Sequence, residues 1–412
     1  MFQTLNLFVM VSGMERALRV ARVATFVYFV LNGTLLGMWV VQIPAIEERV
    51  GISHAALGGF LVLLGAGAFA GMQVGGRLSD RLGTRTVVPL AGVLCAATLV
   101  LPGLAGEPWA LGAALLLFGF GNGTLDVSMN AHAVQVEKAY ERPVMSAFHA
   151  TFSVGGVLAA LAGAAAVDIG WDPATTLGTA AGIGVVVALT AARGLLPAAP
   201  TAPAAEGDGP AGKRPVPGRI WLLAVLALLV MLCEGAANDW SVLHLEDVLG
   251  APESTAALAY GTYAATMTAG RLLADRISAR FGPVAVLRHG AALAAVGITA
   301  VALAPWIWVA LTGWALFGLG LSGCIPQLFS AAGHADPSAA GTNVSRVAGL
   351  GYIGMLAGPA VIGWLTHLMA LNHTFLLLTL FCATTATAAG VLRPASPREP
   401  LESGARSTTL SG

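Results

Sequence analysis

The chain has 412 residues, of which 56% are hydrophobic and only 10% charged, and its mean hydropathy is +0.78. Soluble domains carry about 25% charged residues, so an ordinary soluble enzyme is excluded. The 21 Lys and Arg balance 21 Asp and Glu, leaving no basic field to bind nucleic acid.

Residues 1–21 hold Phe8, Val9 and Met10 with no basic residue before them. They are read as a cytoplasmic N-terminal segment, neither a cleaved signal nor a complete span; translation can start at Met1 or at Met14. Apolar windows of about 19 residues then cover 22–44, 56–76, 86–104, 109–133, 144–167, 174–195, 219–243, 255–274, 283–304, 306–331, 342–366 and 370–392. A helix of about 20 apolar residues crosses a bilayer, so the fold class predicted is an all-α membrane protein with twelve transmembrane helices. Spanning strands are excluded, because barrel segments alternate strictly over about ten residues. Cys95, Cys233, Cys324 and Cys382 lie far apart in apolar runs and are read as core residues.

Nearly all Lys and Arg fall on one side of these spans, and of the 21 only Arg49 falls on the other, among Glu47, Glu48, Glu107, Asp168 and Asp172. Basic loops stay in the cytoplasm, which predicts a multi-pass protein of the cell membrane with both termini cytoplasmic. Residues 196–218, with six prolines among Ala and Gly, cannot bury a face and are read as a cytoplasmic linker. It separates an N-terminal bundle, 22–195, from a C-terminal bundle, 219–392, followed by a cytoplasmic tail, 393–412. The halves echo each other: Gly75-Gly76-Arg77-Leu78-Ser79-Asp80-Arg81 after the second span matches Gly270-Arg271-Leu272-Leu273-Ala274-Asp275-Arg276 after the eighth, a sign of a transporter built from repeats.

The segment from Gly76 to Arg85, Gly-Arg-Leu-Ser-Asp-Arg-Leu-Gly-Thr-Arg, resembles the loop signature of the major facilitator superfamily and sits where that family carries it. The resemblance covers about 22–392. It implies two pseudo-symmetric six-helix bundles rocking about a central site, with Gly76, Asp80, Arg81, Arg85, Asp275 and Arg276 as a cytoplasmic gate. Asp80 would accept hydrogen bonds from the start of the eleventh span near Thr342, Asp275 from the start of the fifth near Met145, and Arg81 and Arg85 would complete a charge cluster. Two features depart from the family pattern. Gly119-Phe120-Gly121 lacks an arginine before it, and Gly354-x-x-x-Gly358-Pro359, which resembles an export signature, lies in the eleventh span instead of the fifth. The run from Asn122 to Asn130, with Phe148-His149-Ala150, is similar to the fucose-permease-like branch. There, acids in spans one and four are implicated in coupling; here span four offers Asp126 and span one only Asn32.

Intramembrane acids cost about 2.5–3.5 kcal/mol at a helix centre and usually face the bundle interior. Asn122, Asp126 and Asn130 recur every fourth residue, so they form one stripe on the fourth span. Asp126 is one candidate for carrying a coupled proton; the alternative is a hydrogen bond to Asn122 or Asn130 that fixes packing. Glu234 on the seventh span is the second candidate, with outer-gate hydrogen bonding as its alternative, and Asn238 shares its face. Tyr28, Asn32, Tyr263, Trp314 and Tyr352 fall near mid-depth at about 1.5 Å per residue. With Asn122, Asn130 and Asn238 they are the candidate cavity lining, suited to a neutral or weakly polar solute. Arg346 is the nearest arginine to that depth, which disfavours a dianion. His132 and His149, at the inner ends of spans four and five, are a candidate relay or gate pair, or else interfacial residues satisfied by backbone or water.

No Walker sequence, no His-Glu-x-x-His and no Gly-x-Ser-x-Gly occurs, and no cofactor, metal or catalytic role is expected. Gly119-x-Gly121-x-Gly123 follows no strand and is read as small residues for helix packing. The expected function is a secondary active transporter of a small organic solute, coupled to protons and working as a monomer in the bilayer. An exporter of drug-like or secondary metabolites and a non-transporting sensor on the same scaffold remain as alternatives.

Overall fold

A computed structural model of the chain describes residues 2–52, 54–197 and 217–393. Most of the linker 196–218 and of the tail 393–412 lies outside the described residues, as does Met1.

Thirteen α-helices follow in chain order: α1 (Phe2–Val50), α2 (His54–Leu82), α3 (Thr84–Leu104), α4 (Pro108–Tyr140), α5 (Met145–Asp168), α6 (Pro173–Ala192), α7 (Gly218–Leu243), α8 (Glu253–Phe281), α9 (Pro283–Ala302), α10 (Ile307–Leu321), α11 (Cys324–Ala335), α12 (Ala340–Leu365) and α13 (Leu371–Ala388). Among the described residues there is no strand, and eleven helical stretches are long and apolar enough to cross a membrane. One of these, Ile307–Ala335, is α10 and α11 joined through Ser322 and Gly323. The expected eighth span, 255–274, lies within the 29 residues of α8. That helix is not among the eleven, and it carries Arg271, Asp275, Arg276 and Arg280.

Gly83 between α2 and α3 has φ 80 and ψ 145, and Gly282 between α8 and α9 has φ 83 and ψ 160. A side chain at that backbone geometry would be strained, so glycine stops both helices in the same way, six spans apart. Helix pairing repeats too. In the first half α1 packs on α5 and α2 on α4; in the second, α7 packs on α12 and α8 on α10.

Glycines permit these contacts. Carbonyl oxygens of Leu64 and Ala68 on α2 occupy the space where Gly119 and Gly123 of α4 would carry a Cβ, and Gly121, on another face of α4, meets the backbone of Cys95 on α3. One short glycine run thus seats a helix against two neighbours, as small residues do in membranes. Fewer contacts cross between the halves: α2 meets α12, α5 meets α8, and α4 meets α11 and α12.

Candidate functional site

At the end of the molecule that carries the basic loops, three acids join the halves. Asp80 Oδ1 accepts the Gly341 amide at 2.7 Å and Oδ2 accepts the Thr342 amide at 2.8 Å. Asp275 repeats the arrangement, its Oδ1 accepting from Ser146 N at 3.0 Å and its Oδ2 from Ala147 N at 2.7 Å. Each carboxylate thereby satisfies two of the amides that a helix start leaves unpaired, at the positive end of its dipole. Gly76 sits one turn before Asp80, close enough to Gly341 and Ser345 that a Cβ would collide with both.

The third acid, Glu137, is buried at the end of α4. Its Oε2 accepts the amides of Val144 at 2.9 Å and Met145 at 3.0 Å, and its Oε1 accepts the Ser330 hydroxyl of α11. Sequence reasoning missed it; the available signal was an acid eight residues before a helix start. Beside it a cleft of about 550 Å³ opens to solvent, lined by Lys138, Arg142, Arg219 and His334 among others.

Arg81, Arg85 and Arg276 are exposed. Among the described residues none of them makes an ion pair with Asp80 or Asp275, so the expected charge cluster is not formed. Water solvates these guanidinium groups, and exposed ion pairs gain little.

Deeper in, Asp126 of α4 is buried. Asn130 Nδ2 donates to its backbone carbonyl at 2.9 Å and to its Oδ1 at 3.4 Å, while Asp126 Oδ2 and Asn130 Oδ1 have no partner. Tyr352 of α12, in the opposite half, lies within electrostatic reach of both Asp126 and Glu234. The Glu234 carboxylate Oε2 meets Arg271 Nη2 of α8 at 3.7 Å, with side-chain exposures of 13% and 16%. Arg271 therefore lies inside the protein. Side chains lean toward the N-terminus of their helix, and on α8 this carries the guanidinium away from the Asp275 contact and into the interior. The expectation that Arg346 is the nearest arginine to the site is corrected: Arg346 donates to Asn343 Oδ1 at 3.1 Å, and Arg271 is the group paired with Glu234.

Several expected lining residues are taken up by packing within one half. Tyr28 is fully buried and donates its hydroxyl to Ala188 O on α6 at 2.6 Å. Asn122 Nδ2 donates to Asn32 Oδ1 at 2.9 Å, tying α4 to α1. Trp314 is fully buried against Tyr263, Phe317, His244 and Phe375, with ring centroids 5.6–6.4 Å apart. The expected ring-lined cavity is therefore corrected for Tyr28, which is taken up by packing and a backbone hydrogen bond in the first half, whereas Trp314 Nε1 is buried without a partner and Tyr263 lies within electrostatic reach of Glu234 and Arg271. Asn238, one turn along α7 from Glu234, is exposed.

His132 and His149 do not pair. His132 bonds Thr84 Oγ1 at 2.7 Å inside the first half. His149 lies between halves, its ring 5.3 Å from Phe29 and 5.9 Å from Phe329, within electrostatic reach of Arg271.

A duplicated acid-on-helix-start contact, a repeated pairing of membrane-length helices and unpartnered buried polar atoms between the halves define a multi-pass transporter scaffold. The sequence model of the Major Facilitator Superfamily matches residues 23–344 and, separately, 241–410. An uncharacterised transporter of the same type from Yersinia pestis is 34% identical over 368 residues, covering 89% of this chain and 94% of that protein. An uncharacterised transporter of Sinorhizobium fredii is 35% identical over 372 residues, covering 89% and 96%. The chain belongs to the major facilitator superfamily. Its fold is similar to the crystal structure of FucP in the outward conformation, with a TM-score of 0.69 at 16% identity over 90% of this chain and 98% of that one.

Proposed function

We propose that this protein is a secondary active transporter that moves a small organic solute by alternating access, coupled to protons through Asp126. The working halves are the pseudo-symmetric bundles 22–195 and 219–392, joined by the linker 196–218. The observation that carries the reading is Asp126 itself: a buried carboxylate with one oxygen unpartnered, within electrostatic reach of Tyr352 in the opposite half. A carboxyl group there takes up a proton when enclosed and loses it when its side of the bundle opens to water.

Asp80, Asp275 and Glu137 act as the gate of the basic end, and their hydrogen bonds hold that end shut. Basic loops favour the cytoplasm, so the end these contacts join is the cytoplasmic one. The similarity to the fucose:proton symporter FucP and the proton:xylose symporter XylE supports both the coupling ion and the fucose-permease-like branch. The site between the halves takes the solute, and a single chain suffices for transport.

The test is uptake into proteoliposomes across an imposed pH gradient, with a panel of sugars, nucleosides, organic acids and hydrophobic cations. Wild type is expected to accumulate a panel member only with the gradient, and Asp126→Asn to lose accumulation while keeping exchange. Full gradient-driven accumulation by Asp126→Asn would end the coupling assignment.

A further inference from the structure

Aligned on Asp80 and Asp275, the two copies of the repeated segment place Arg271 where the first half has Gly76. Gly76 closes the first copy by letting α2 press against Gly341 and Ser345 of α12. Its counterpart on α8 is instead a long, mostly buried cation, facing Glu234 of α7 and within reach of His149 on α5. The second copy makes its own gating contact through Asp275, which accepts the Ser146 and Ala147 amides with Arg271 in place, so gating does not require the guanidinium.

Its hydrogen bonding is also incomplete. The ion pair to Glu234 uses one terminal nitrogen at 3.7 Å, too long for a hydrogen bond. Arg271 Nε and Glu234 Oε1 are both buried without a partner. A guanidinium offers five N–H donors in a planar fork, and the edge that includes Nε matches a carboxylate in bidentate geometry. Buried polar atoms in native structures are paired, so the orphaned atoms of this pair are free to bond groups of a bound molecule. Tyr352 lies within electrostatic reach of both Glu234 and Asp126, and Asp126 Oδ2 and Asn130 Oδ1, both hydrogen-bond acceptors, are orphaned in the same way.

We propose that Arg271 determines specificity, binding the carboxylate of a small hydroxylated monocarboxylic acid through its free Nε edge while the solute's hydroxyls donate to Asp126 and Asn130. The inference rests on the transport reading and names the solute class for the same site. One free guanidinium edge takes one carboxylate. Asp126 and Glu234 repel a second negative group, so dicarboxylates and phosphorylated compounds are rejected, as are compounds without an anionic group.

The experiment uses the purified full-length protein in detergent micelles and follows the rise in unfolding midpoint with added lactate, gluconate or 4-hydroxybenzoate and with the matching amides. At least one acid is expected to stabilise the protein at a concentration roughly tenfold or more below its amide. Arg271→Gln with Glu234→Gln removes both charges together and is expected to abolish the preference for acid over amide. Arg271→Lys keeps the charge but loses the fork and should weaken acid binding by roughly tenfold. Equal stabilisation by acids and amides, no stabilisation by any of the acids, or an unchanged preference in both variants would overturn the proposal. Uptake into proteoliposomes separates the two readings. Acid-selective binding without accumulation or exchange sinks transport and leaves recognition standing; accumulation of neutral solutes with no acid preference sinks recognition alone.

Discussion

The amide of Gly341 donates to Asp80 Oδ1 at 2.7 Å, so the last turns of α2 are bonded to the first turn of α12 in the other half of the molecule. A carboxylate at a helix start contributes up to about 2 kcal/mol when partly buried, which is more than tenfold in an open–closed equilibrium. Asp80→Asn is therefore expected to loosen the basic end. Ser345, buried behind Gly76, reports this: in a background with the four native cysteines replaced, maleimide labelling of Ser345→Cys should speed up roughly tenfold when Asp80→Asn is added. An unchanged labelling rate would show that the contact does not hold the end closed.

Glu234 and Arg271 should behave as a pair in stability. Removing one partner strands the other as a buried charge, a loss of about 3–5 kcal/mol, so Glu234→Gln and Arg271→Gln are each expected to lower the unfolding midpoint strongly. The double substitution should cost much less than the sum of the singles. Additive effects in a thermal-unfolding cycle would mean that the two side chains do not share an interaction.

Close approach of α2 and α4 gives a third expectation. At Gly119 and Gly123 even a methyl group would overlap the carbonyl oxygens of Leu64 and Ala68, and overpacking of that kind costs about 1–3 kcal/mol. Gly119→Ala and Gly123→Ala should each destabilise the protein. Gly178→Ala, where a Cβ meets open space on α6, should be neutral or stabilising by up to about 1 kcal/mol. Equal unfolding midpoints for Gly119→Ala and Gly178→Ala would refute this packing account.

Outside the membrane, Asp172 caps α6, its Oδ1 accepting the Thr175 amide at 2.7 Å. That hydrogen bond holds the exposed carboxyl below the usual carboxylate range. A depressed folded value means the cap is in force above the unfolded carboxyl's range and is lost as pH falls through the lowered one. Hydrogen exchange at Thr175, corrected for intrinsic pH dependence, should stay slow near pH 5 and accelerate only in stronger acid. In Asp172→Ala it should be fast throughout; protection there equal to wild type would remove the cap's role.

Much of the architecture was legible along the chain because a bilayer imposes a local rule: each span must supply its own run of apolar residues. Eleven of the twelve expected stretches satisfy that rule in the folded protein. The eighth, in α8, is read less easily because Arg271 and Asp275 dilute its apolar character, and both are polar for contacts made with other helices. Asp126 could be singled out from the sequence by the cost of a charge in a membrane. Tyr28 and Trp314 could not be assigned to core or cavity, since a ring at mid-depth has the same sequence signature in either place.

The sequence by itself determined the family, the helical class and the duplicated acid at the end of each repeat, because hydropathy, charge bias and a ten-residue signature are properties of neighbouring residues. Only the tertiary structure decided that Asn32 is the partner of Asn122, that Glu137 reaches Ser330, and that Arg271 turns inward to Glu234 instead of joining the basic loops. Those outcomes depend on which faces of remote helices meet. A helix offers a side chain several directions for a partner, and the choice is made by packing between segments remote in the chain, 193 residues apart for Glu137 and Ser330.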